Sequence, residues 1–330
     1  MPKGLFLLNP DAYDRIYGSP EREAIRSRVD ITAPLQTRQS VHDHPDVLAD
    51  VEMIFSGWGM AELTEDFLRA APQLKVVFYG AGSIRYFATD AAWDRGIVIT
   101  SAYAANAVPV SEYTLAQILL SLKRAWYFVY QIKAEQQWVA REPVPGAFES
   151  TVGLISLGKV GRLVAERLQP FDLKVLAYDP YVPPAEAATL GVELVDLDTI
   201  FERADVVSLH APKLPETLGM ITGAHLAAMK ERATFINTAR GAIVREDEMI
   251  EVLQSRPDLY AILDVTDPEP PLPGSPLYTL PNVVLTPHIV GSMGAECRRM
   301  GRTMVAELKR YLAGDPLRWS ISRERAEILA

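Results

Sequence analysis

The sequence has little cysteine and fewer basic than acidic residues. Its 330 residues include a single cysteine, Cys297, so no intramolecular disulfide can form and a reducing, cytoplasmic location is expected. Lys and Arg total 33 against 42 Asp and Glu, which gives a net charge of −9. Because this charge repels a phosphate backbone on average, we expect no nucleic-acid partner.

Long apolar runs are also missing. The N-terminal apolar stretch ends at Asn9 and Pro10, which makes it too short for the core of a signal peptide. No stretch approaches the roughly 20 apolar residues of a membrane-spanning helix, so no membrane partner is expected. His42 and His44 flank an aspartate, but Pro45 predicts a surface loop there and no further cluster of ligands completes a metal site.

What the sequence does contain is an alternation of short apolar runs with longer amphipathic stretches. The first series of predicted strands is Gly4–Leu8, Val51–Phe55, Leu74–Phe78 and Ile97–Thr100. The second series is Thr151–Ile155, Leu173–Tyr178, Asp205–Leu209, Thr234–Asn237, Tyr260–Val265 and Val283–Thr286. This rhythm predicts an α/β protein, and the six runs of the second series match a doubly wound nucleotide-binding sheet.

The segments between and after these series have their own patterns. Apolar residues recur at helical spacing from Ala107 to Tyr130, which predicts one long linking helix, and Gln131–Ser150 is expected to be a loop. Thr266–Pro281 holds six prolines, which favours a rigid functional loop. A helix is predicted near Met293–Leu312.

A glycine fingerprint follows the first strand of the second series. Gly158 lets the backbone approach a pyrophosphate, and Gly161 lets the following helix pack against its strand, but Ser156 occupies the first glycine position. Asp179, eighteen residues after Gly161, can bind ribose hydroxyls. Its charge would repel a 2′-phosphate by about 1 to 4 kcal/mol, which favours NAD over NADP. These features alone leave open a simple strand-to-helix turn with a surface aspartate.

Five further motifs give the sequence a family resemblance. They are the Gly80-Ala81-Gly82 segment, LHAPKLPET at Leu209–Thr217, INTARG at Ile236–Gly241, LDVTDPEP at Leu263–Pro270 and TPHIVGS at Thr286–Ser292. With these motifs, the chain resembles the D-isomer-specific 2-hydroxyacid dehydrogenase family over about three quarters of its length. The resemblance implies two Rossmann-like doubly wound parallel-sheet domains with an interdomain cleft. It implies a discontinuous substrate domain, residues 1–101 and 291–330, and an NAD-binding domain, residues 102–290.

The resemblance also points to three catalytic residues whose chemistry suits hydride and proton transfer. Arg240 follows a strand, and its planar guanidinium can grip a carboxylate and polarise the adjacent keto oxygen. His288 is a natural general acid or base, because imidazole exchanges protons near neutrality. Glu269, as a neighbouring carboxylate, would favour the imidazolium and fix the ring tautomer.

Further site residues are implied by the resemblance. The substrate acid is expected to bind Arg240 and the backbone N–H groups of Ala81 and Gly82. Just after them, Ile84 replaces an acidic residue common in the family, and Arg85 follows it, which obscures the substrate's identity. The expected contacts to NAD or NADH are Ser156, Gly158, Lys159, Val160, Gly161, Asp179, His210, Ala211, Pro212, Thr217, Thr238, Ala239, Arg240, Asp264, His288 and Gly291.

The sequence therefore predicts an NAD-dependent oxidoreductase acting on a small 2-hydroxy or 2-keto acid, and the family implies a homodimer. Two alternatives remain open. One is an NAD-sensing binding protein of the C-terminal-binding corepressor type, and the other is a phosphite-type dehydrogenase. Formate as substrate is disfavoured by Glu269, because formate dehydrogenases typically pair the histidine with glutamine.

Overall fold

The computed structural model describes residues 1–328, which form two compact α/β units. Unit 1 comprises residues 1–106 and 292–328, and unit 2 comprises residues 107–291. The sequence placed the first domain boundary between residues 101 and 102, whereas the structure puts it within a helix that begins at Tyr103. Residues 329 and 330, the end of the expected substrate domain, lie outside the described residues.

The strands of residues 1–328 are mostly four or five residues long. In chain order they are β1 Lys3–Leu7, β2 Asp30–Ile31, β3 Met53–Ser56, β4 Val76–Tyr79, β5 Val98–Ser101, β6 Thr151–Ile155, β7 Lys174–Tyr178, β8 Glu193–Leu194, β9 Val206–Leu209, β10 Thr234–Asn237, β11 Tyr260–Leu263, β12 Val283–Leu285 and β13 Ser320–Ile321. All ten predicted runs are strands, with ends that differ by no more than two residues. The sequence missed β2, β8 and β13, because a two-residue strand has no apolar run.

The helices alternate with the strands. They are α1 Pro10–Ile16, α2 Ser19–Arg26, α3 Arg38–Asp43, α4 Glu65–Ala70, α5 Asp90–Asp94, α6 Tyr103–Leu122, α7 Ala125–Glu135, α8 Lys159–Leu168, α9 Pro184–Thr189, α10 Leu197–Arg203, α11 Gly223–Ala227, α12 Glu246–Ser255, α13 Cys297–Ala313 and α14 Arg323–Ile328. Short 3-10 helices lie at Pro45–Leu48, Pro215–Thr217, Gly241–Ile243, Pro276–Tyr278 and Gly294–Glu296.

Each unit is built around one sheet. In unit 1 the described strands run in the order β2-β1-β3-β4-β5 and are parallel, and β13 adds an antiparallel edge beside β5. In unit 2 the order is β8-β7-β6-β9-β10-β11-β12, and every pair is parallel. The two orders are those of flavodoxin-like and Rossmann sheets. The expected fold class, two Rossmann-like parallel-sheet domains, is thus confirmed.

Both faces of each sheet are buried, as parallel sheets require. In β1 of unit 1, Leu5 and Leu7 belong to one core cluster, whereas Phe6 belongs to the cluster on the other face. In β6 of unit 2, Val152 and Leu154 pack on one side and Ile155 on the other. The sheets are therefore fixed scaffolds for the loops that leave their strand ends.

The single linking helix predicted over Ala107–Tyr130 is wrong. The structure has two helices, α6 and α7, and the second extends into the expected loop as far as Glu135. Arg124 breaks the helix, because its backbone adopts a left-handed conformation with φ of 50°. Its guanidinium donates to Glu142 at 2.7 Å and stacks over the ring of Tyr127, and these contacts hold the break in place.

Two smaller features concern expectations about the surface. His42 lies within α3 and not in the predicted loop, while His44 follows at the end of that helix. No helix within residues 1–328 is long and apolar enough to cross a membrane.

Candidate active site

A histidine and a glutamate form the centre of the site in unit 2. His288 Nδ1 lies 2.6 Å from Glu269 Oε1, and about half of each side chain is exposed. An ionised carboxylate only accepts hydrogen bonds, so Nδ1 carries a proton and Nε2 is left for other partners. The pair that the sequence proposed from two separate motifs therefore lies together.

The backbone of His288 is held in an unusual conformation. Its φ is 53°, in the left-handed region that non-glycine residues rarely adopt. Its N–H donates to the carbonyl oxygens of Asp264 and Thr286, both at 3.0 Å. These bonds fix the turn after β12 that presents the imidazole ring.

Asp264 anchors this turn from the end of β11. Its carboxylate is buried and accepts three hydrogen bonds, from Thr286 Oγ1 at 2.6 Å, Ile289 N at 2.9 Å and Val290 N at 3.0 Å. Sequence reasoning assigned Asp264 to the cofactor and missed this anchoring role. The sequence around Asp264 could not predict this role. A lone aspartate after a strand does not reveal that a distant segment supplies three hydrogen-bond donors to it.

Arg240 is positioned by a turn that follows β10. Asn237, the last residue of the strand, accepts from Ala239 N at 3.0 Å through Oδ1 and donates from Nδ2 to Arg240 O at 3.1 Å. The Arg240 side chain is partly buried and donates to Ala239 O at 2.6 Å. Burial lowers the pKa of Arg240, and the charge of Glu269 opposes that change. Arg240 and Glu269 therefore interact electrostatically.

The turn with Arg240 and the loop with Glu269 lie backbone against backbone. A Cβ on Gly241 would lie 2.0 Å from the carbonyl carbon of Thr266, so only glycine permits this approach. Glu246, the first residue of α12, ties the same segments together by accepting from Asp267 N at 2.9 Å. Sequence reasoning missed Glu246, which belongs to none of the five motifs.

A cavity of about 630 Å³ adjoins the histidine and glutamate. Its polar side is formed by Asp264, Glu269, Thr286 and His288, and its apolar side includes Leu277 and Leu285. All of its lining residues belong to unit 2. The volume is within the range of small-molecule sites in proteins, roughly 300 to 1,000 Å³.

The glycine fingerprint of unit 2 forms the turn between β6 and α8. Gly158 is the N-cap residue of α8 and has no side chain to cap that end, and phosphate oxygens bind well at such a helix N-terminus. A Cβ on Gly161 would lie 2.0 Å from Ser156 O, which explains the need for glycine there. Lys159 and Val160 are the first two residues of the helix and lie beside these glycines in the chain. The turn therefore has the open helix end and the close backbone packing that a pyrophosphate site requires.

Ser156 and Asp179 meet at the carboxyl ends of β6 and β7. Ser156 adopts φ of 79°, a glycine-like conformation, and its hydroxyl lies 3.4 Å from Asp179 Oδ2. The same oxygen accepts from Leu157 N at 2.7 Å, while Asp179 Oδ1 accepts from Tyr181 N at 2.9 Å. A carboxylate has about four acceptor positions, so Asp179 retains capacity for a ribose hydroxyl.

The segment after β9 lies beside this turn. His210 Cβ is 3.9 Å from the Cβ position of Gly161, and His210 Nε2 is buried without a hydrogen-bond partner among residues 1–328. Burial lowers the pKa of His210 to about 3, so the ring is neutral. Thr217 uses its hydroxyl within the segment, donating to Pro212 O at 2.6 Å and accepting from Leu214 N at 2.8 Å.

The remaining expected cofactor residues lie at strand ends of unit 2. Thr238 is buried, and its hydroxyl is 3.3 Å from that of Thr114 in α6. Ala211 follows β9, Ala239 follows β10, and Gly291 is the last residue of the unit. Carboxyl ends of parallel strands meet at one edge of a sheet, so these residues share the edge of Ser156 and Arg240.

The Gly80-Ala81-Gly82 segment belongs to unit 1, where it follows β4. The Ser101 hydroxyl lies 2.9 Å from Ala81 O and 2.6 Å from Gly82 O, so both carbonyl oxygens are within its hydrogen-bonding reach. Within residues 1–328, the N–H groups of Ala81 and Gly82 donate to no partner. Ile84 is buried in the core of unit 1.

Comparison with known proteins shows what the chain is similar to. Residues 115–290, more than half of the chain, match the model of the D-isomer specific 2-hydroxyacid dehydrogenase NAD binding domain. The sequence is 40% identical over 253 residues to the D-3-phosphoglycerate dehydrogenase of Mycobacterium tuberculosis, which covers 76% of this chain and 47% of the relative.

Two further relatives are matched over most of their own length. The hydroxypyruvate reductase of Thermotoga maritima is 32% identical over 256 residues, 76% of this chain and 82% of the relative. The crystal structure of D-lactate dehydrogenase from Aquifex aeolicus, complexed with NAD and lactic acid, superposes with a TM-score of 0.72. It is 25% identical and covers 95% of this chain and 96% of its own. This chain spans about half the length of the phosphoglycerate dehydrogenases it matches.

Proposed function

Because the chain belongs to the D-isomer-specific 2-hydroxyacid dehydrogenase family, we propose that it is an NAD-dependent oxidoreductase of D-2-hydroxy and 2-oxo acids. The observation that carries this proposal is the 2.6 Å contact between His288 Nδ1 and Glu269 Oε1. Together with Arg240 in the same unit, it supplies a proton donor and a cation for an acid.

NADH, when bound, supplies the hydride that reduces the C2 carbonyl. The Arg240 guanidinium pairs with the substrate carboxylate and polarises the neighbouring carbonyl oxygen, and its planar fork fixes the orientation of the acid. His288 donates the proton from Nε2 to the developing alkoxide oxygen. In the oxidative direction the neutral ring takes that proton back at Nε2. Glu269 keeps the other ring proton on Nδ1 throughout.

The cofactor contacts are part of the same proposal. The open N-terminus of α8 and the close approach at Gly161 support a pyrophosphate at Ser156–Gly161. Asp179 is proposed to bind the adenosine ribose and to disfavour NADP by charge repulsion. The contacts expected of His210, Ala211, Pro212, Thr217, Thr238, Ala239, Asp264 and Gly291 rest on the resemblance and on their place at strand ends.

In unit 1, Ala81 and Gly82 are proposed to bind the substrate carboxylate. Their unbonded N–H groups support this role, because paired backbone donors make a good anion site. Steady-state kinetics separates the roles proposed for the two units. A variant that loses substrate binding has a raised KM, whereas a variant that loses proton transfer has a lowered kcat.

We also propose a homodimer and a cytoplasmic location. α7 contains no buried residue in the isolated chain, and Val129 on α7, Leu120 on α6 and Trp138 after α7 are exposed, so these apolar side chains are available to pack against a second copy. The location is supported by the single cysteine, which fits a reducing compartment. Sedimentation of the purified protein tests the dimer, and cell fractionation tests the location.

The function is tested by following oxidation of NADH and NADPH by the purified protein with a panel of 2-oxo acids. We expect turnover of at least one acid, preference for NADH, and loss of about 10² to 10⁴ in kcat for His288→Ala. Undiminished activity of His288→Ala would contradict the mechanism. Binding of NADH without turnover of any acid would contradict the oxidoreductase and favour an NAD-sensing protein.

A further inference from the structure

Trp58 lies where the strand order of unit 1 reverses. β1 and β3 are neighbours in the sheet, but the chain passes from β1 to the edge strand β2 before it returns to β3. In open parallel sheets, ligands bind outside the carboxyl ends of the strands at such a reversal. Asn9 and Trp58 follow these two strands, and Asn9 N donates to Trp58 O at 2.9 Å. Trp58 thus occupies the position where this sheet is expected to bind a ligand.

The same edge carries the segment proposed to bind the substrate carboxylate. β4 lies directly beside β3, and the Cβ position of Gly57 is 3.8 Å from Gly80 O. The loop that carries Trp58 therefore leaves the sheet next to the Gly80–Gly82 segment. Trp58 is partly buried, so part of its indole stays accessible beside that segment.

A second aromatic ring is fixed at this edge. The Tyr86 hydroxyl accepts from Met60 N at 3.2 Å, lies 3.3 Å from Gly57 O and 3.1 Å from the Tyr79 hydroxyl. These contacts hold the ring against the loop that carries Trp58. Because 43% of Tyr86 stays exposed, its ring adds to the apolar surface at this edge.

The two cations beside these rings are engaged within unit 1. The Arg15 guanidinium lies 5.4 Å from the Trp58 ring centre and is paired with Asp11, to whose carbonyl oxygen its Nε donates at 3.2 Å. The Arg38 guanidinium lies 5.9 Å from the Tyr86 ring centre and donates to Met60 O at 2.9 Å. The charge of Arg15 is already paired with Asp11, and an apolar group can pack on these rings without displacing either arginine.

We propose that Trp58 determines substrate specificity, and that the substrates are 2-oxo acids and D-2-hydroxy acids whose C2 substituent is bulky and apolar. Aromatic and branched aliphatic groups fit this surface, and phosphorylated or dicarboxylic acids do not. This inference rests on the proposed function and deepens it. Its physical basis is the apolar surface that the substituent and the indole remove from water together.

The test compares kcat/KM for phenylpyruvate, glyoxylate and 3-phosphohydroxypyruvate with NADH. For the wild-type protein we expect phenylpyruvate to exceed each of the others by about 100-fold, within the range that apolar pockets achieve. Trp58→Leu should lower the ratio of phenylpyruvate to glyoxylate by about tenfold, and Trp58→Phe should preserve it within about threefold.

Trp93→Leu is the matched control. Trp93 packs against the core of unit 1 from α5, which precedes the start of β5 and so lies towards the opposite edge of the sheet. Its substitution should leave the ratio unchanged. An equal change of the ratio in both variants would overturn the inference. The wild-type measurement is independent of how the variants fold.

The failure of this inference is distinguishable from failure of the proposed function. Preference of the wild-type protein for glyoxylate or 3-phosphohydroxypyruvate would overturn the inference and leave the oxidoreductase standing. Absence of turnover with every acid would overturn the proposed function, and the inference with it.

Discussion

Glu246 Oε2 accepts a hydrogen bond from the backbone N–H of Asp267 at 2.9 Å. This bond joins α12, which begins just after the Arg240 turn, to the loop that carries Glu269. Gly241 brings the same two segments into direct backbone contact. We infer that Glu246 is a positioning residue, which helps to set the distance between Arg240 and Glu269.

Glu246→Ala is expected to lower kcat by about tenfold, because small displacements of catalytic groups cost rate steeply. Glu246→Gln should retain most of the activity, since its amide oxygen still accepts the hydrogen bond. The measurements are kcat for reduction, which should fall in Glu246→Ala, and the Kd for NADH, which should not change.

Glu248→Ala controls for loss of a glutamate from the same helix. Glu248 Oε2 accepts from Gly223 N at 2.7 Å and thereby ties α12 to α11, away from the Glu269 loop. If both variants lose the same stability and the same activity, Glu246 has only a structural role.

Glu269→Gln should lower kcat for reduction more than it changes KM. The Glu269 carboxylate lies 2.6 Å from His288 Nδ1, where it fixes the ring tautomer and attracts the positive charge of the proton-donating ring. The neutral amide keeps the size of the side chain but removes that charge. We expect kcat to fall by about tenfold and KM to change by less than about threefold, both measured at one pH.

Asp267→Asn provides the control for this loss of charge. It removes one negative charge from the same loop, and Asp267 is exposed. Its kcat should match that of the wild type. An unchanged kcat for Glu269→Gln would show that the carboxylate does not influence proton transfer.

Much of the site was predictable because parallel sheets bring strand ends together. Arg240, Asp264 and His288 follow β10, β11 and β12, which are neighbours in the sheet, so their proximity follows from a correct reading of the strands. The fingerprint and Asp179 were predictable for the same reason, since β6 and β7 pair directly.

The remaining features depend on contacts between distant segments. The break at Arg124 is held by Glu142, eighteen residues away, while the local apolar spacing continues through it. The anchoring of the His288 turn by Asp264 spans more than twenty residues and uses backbone donors that every sequence possesses. Such contacts leave no periodic pattern for sequence reasoning to detect.

Ser156→Gly is expected to stabilise the protein slightly. Ser156 holds φ of 79°, and a left-handed conformation costs a non-glycine residue about 1 to 2 kcal/mol. Glycine removes that strain but adds roughly 0.5 to 1 kcal/mol of chain entropy to the unfolded state. The net gain in the free energy of unfolding is about 0.5 kcal/mol, measurable by urea unfolding.

Ser156→Ala separates strain from hydrogen bonding. It keeps a side chain at the same φ and removes the hydroxyl that lies 3.4 Å from Asp179 Oδ2. We expect this variant to be less stable than the wild type. A loss of stability in Ser156→Gly as large as in Ser156→Ala would mean that the hydroxyl, and not the backbone, determines the stability of the turn.

His210 should make the stability of the protein depend on pH in the acidic range. Burial lowers its pKa from 6.5 to about 3 in the folded state, whereas the unfolded chain takes up a proton near pH 6.5. The full stability is thus present above pH 6.5 and is lost as the pH falls towards 3, by at most about 1.4 kcal/mol per pH unit.

His210→Gln does not titrate, so its loss of free energy of unfolding between pH 7.5 and 5.5 should be smaller by up to about 1.4 kcal/mol. Urea unfolding of both proteins at the two pH values measures this difference. Parallel losses in the two proteins would show that the His210 ring accepts a proton in the folded state as readily as in the unfolded chain.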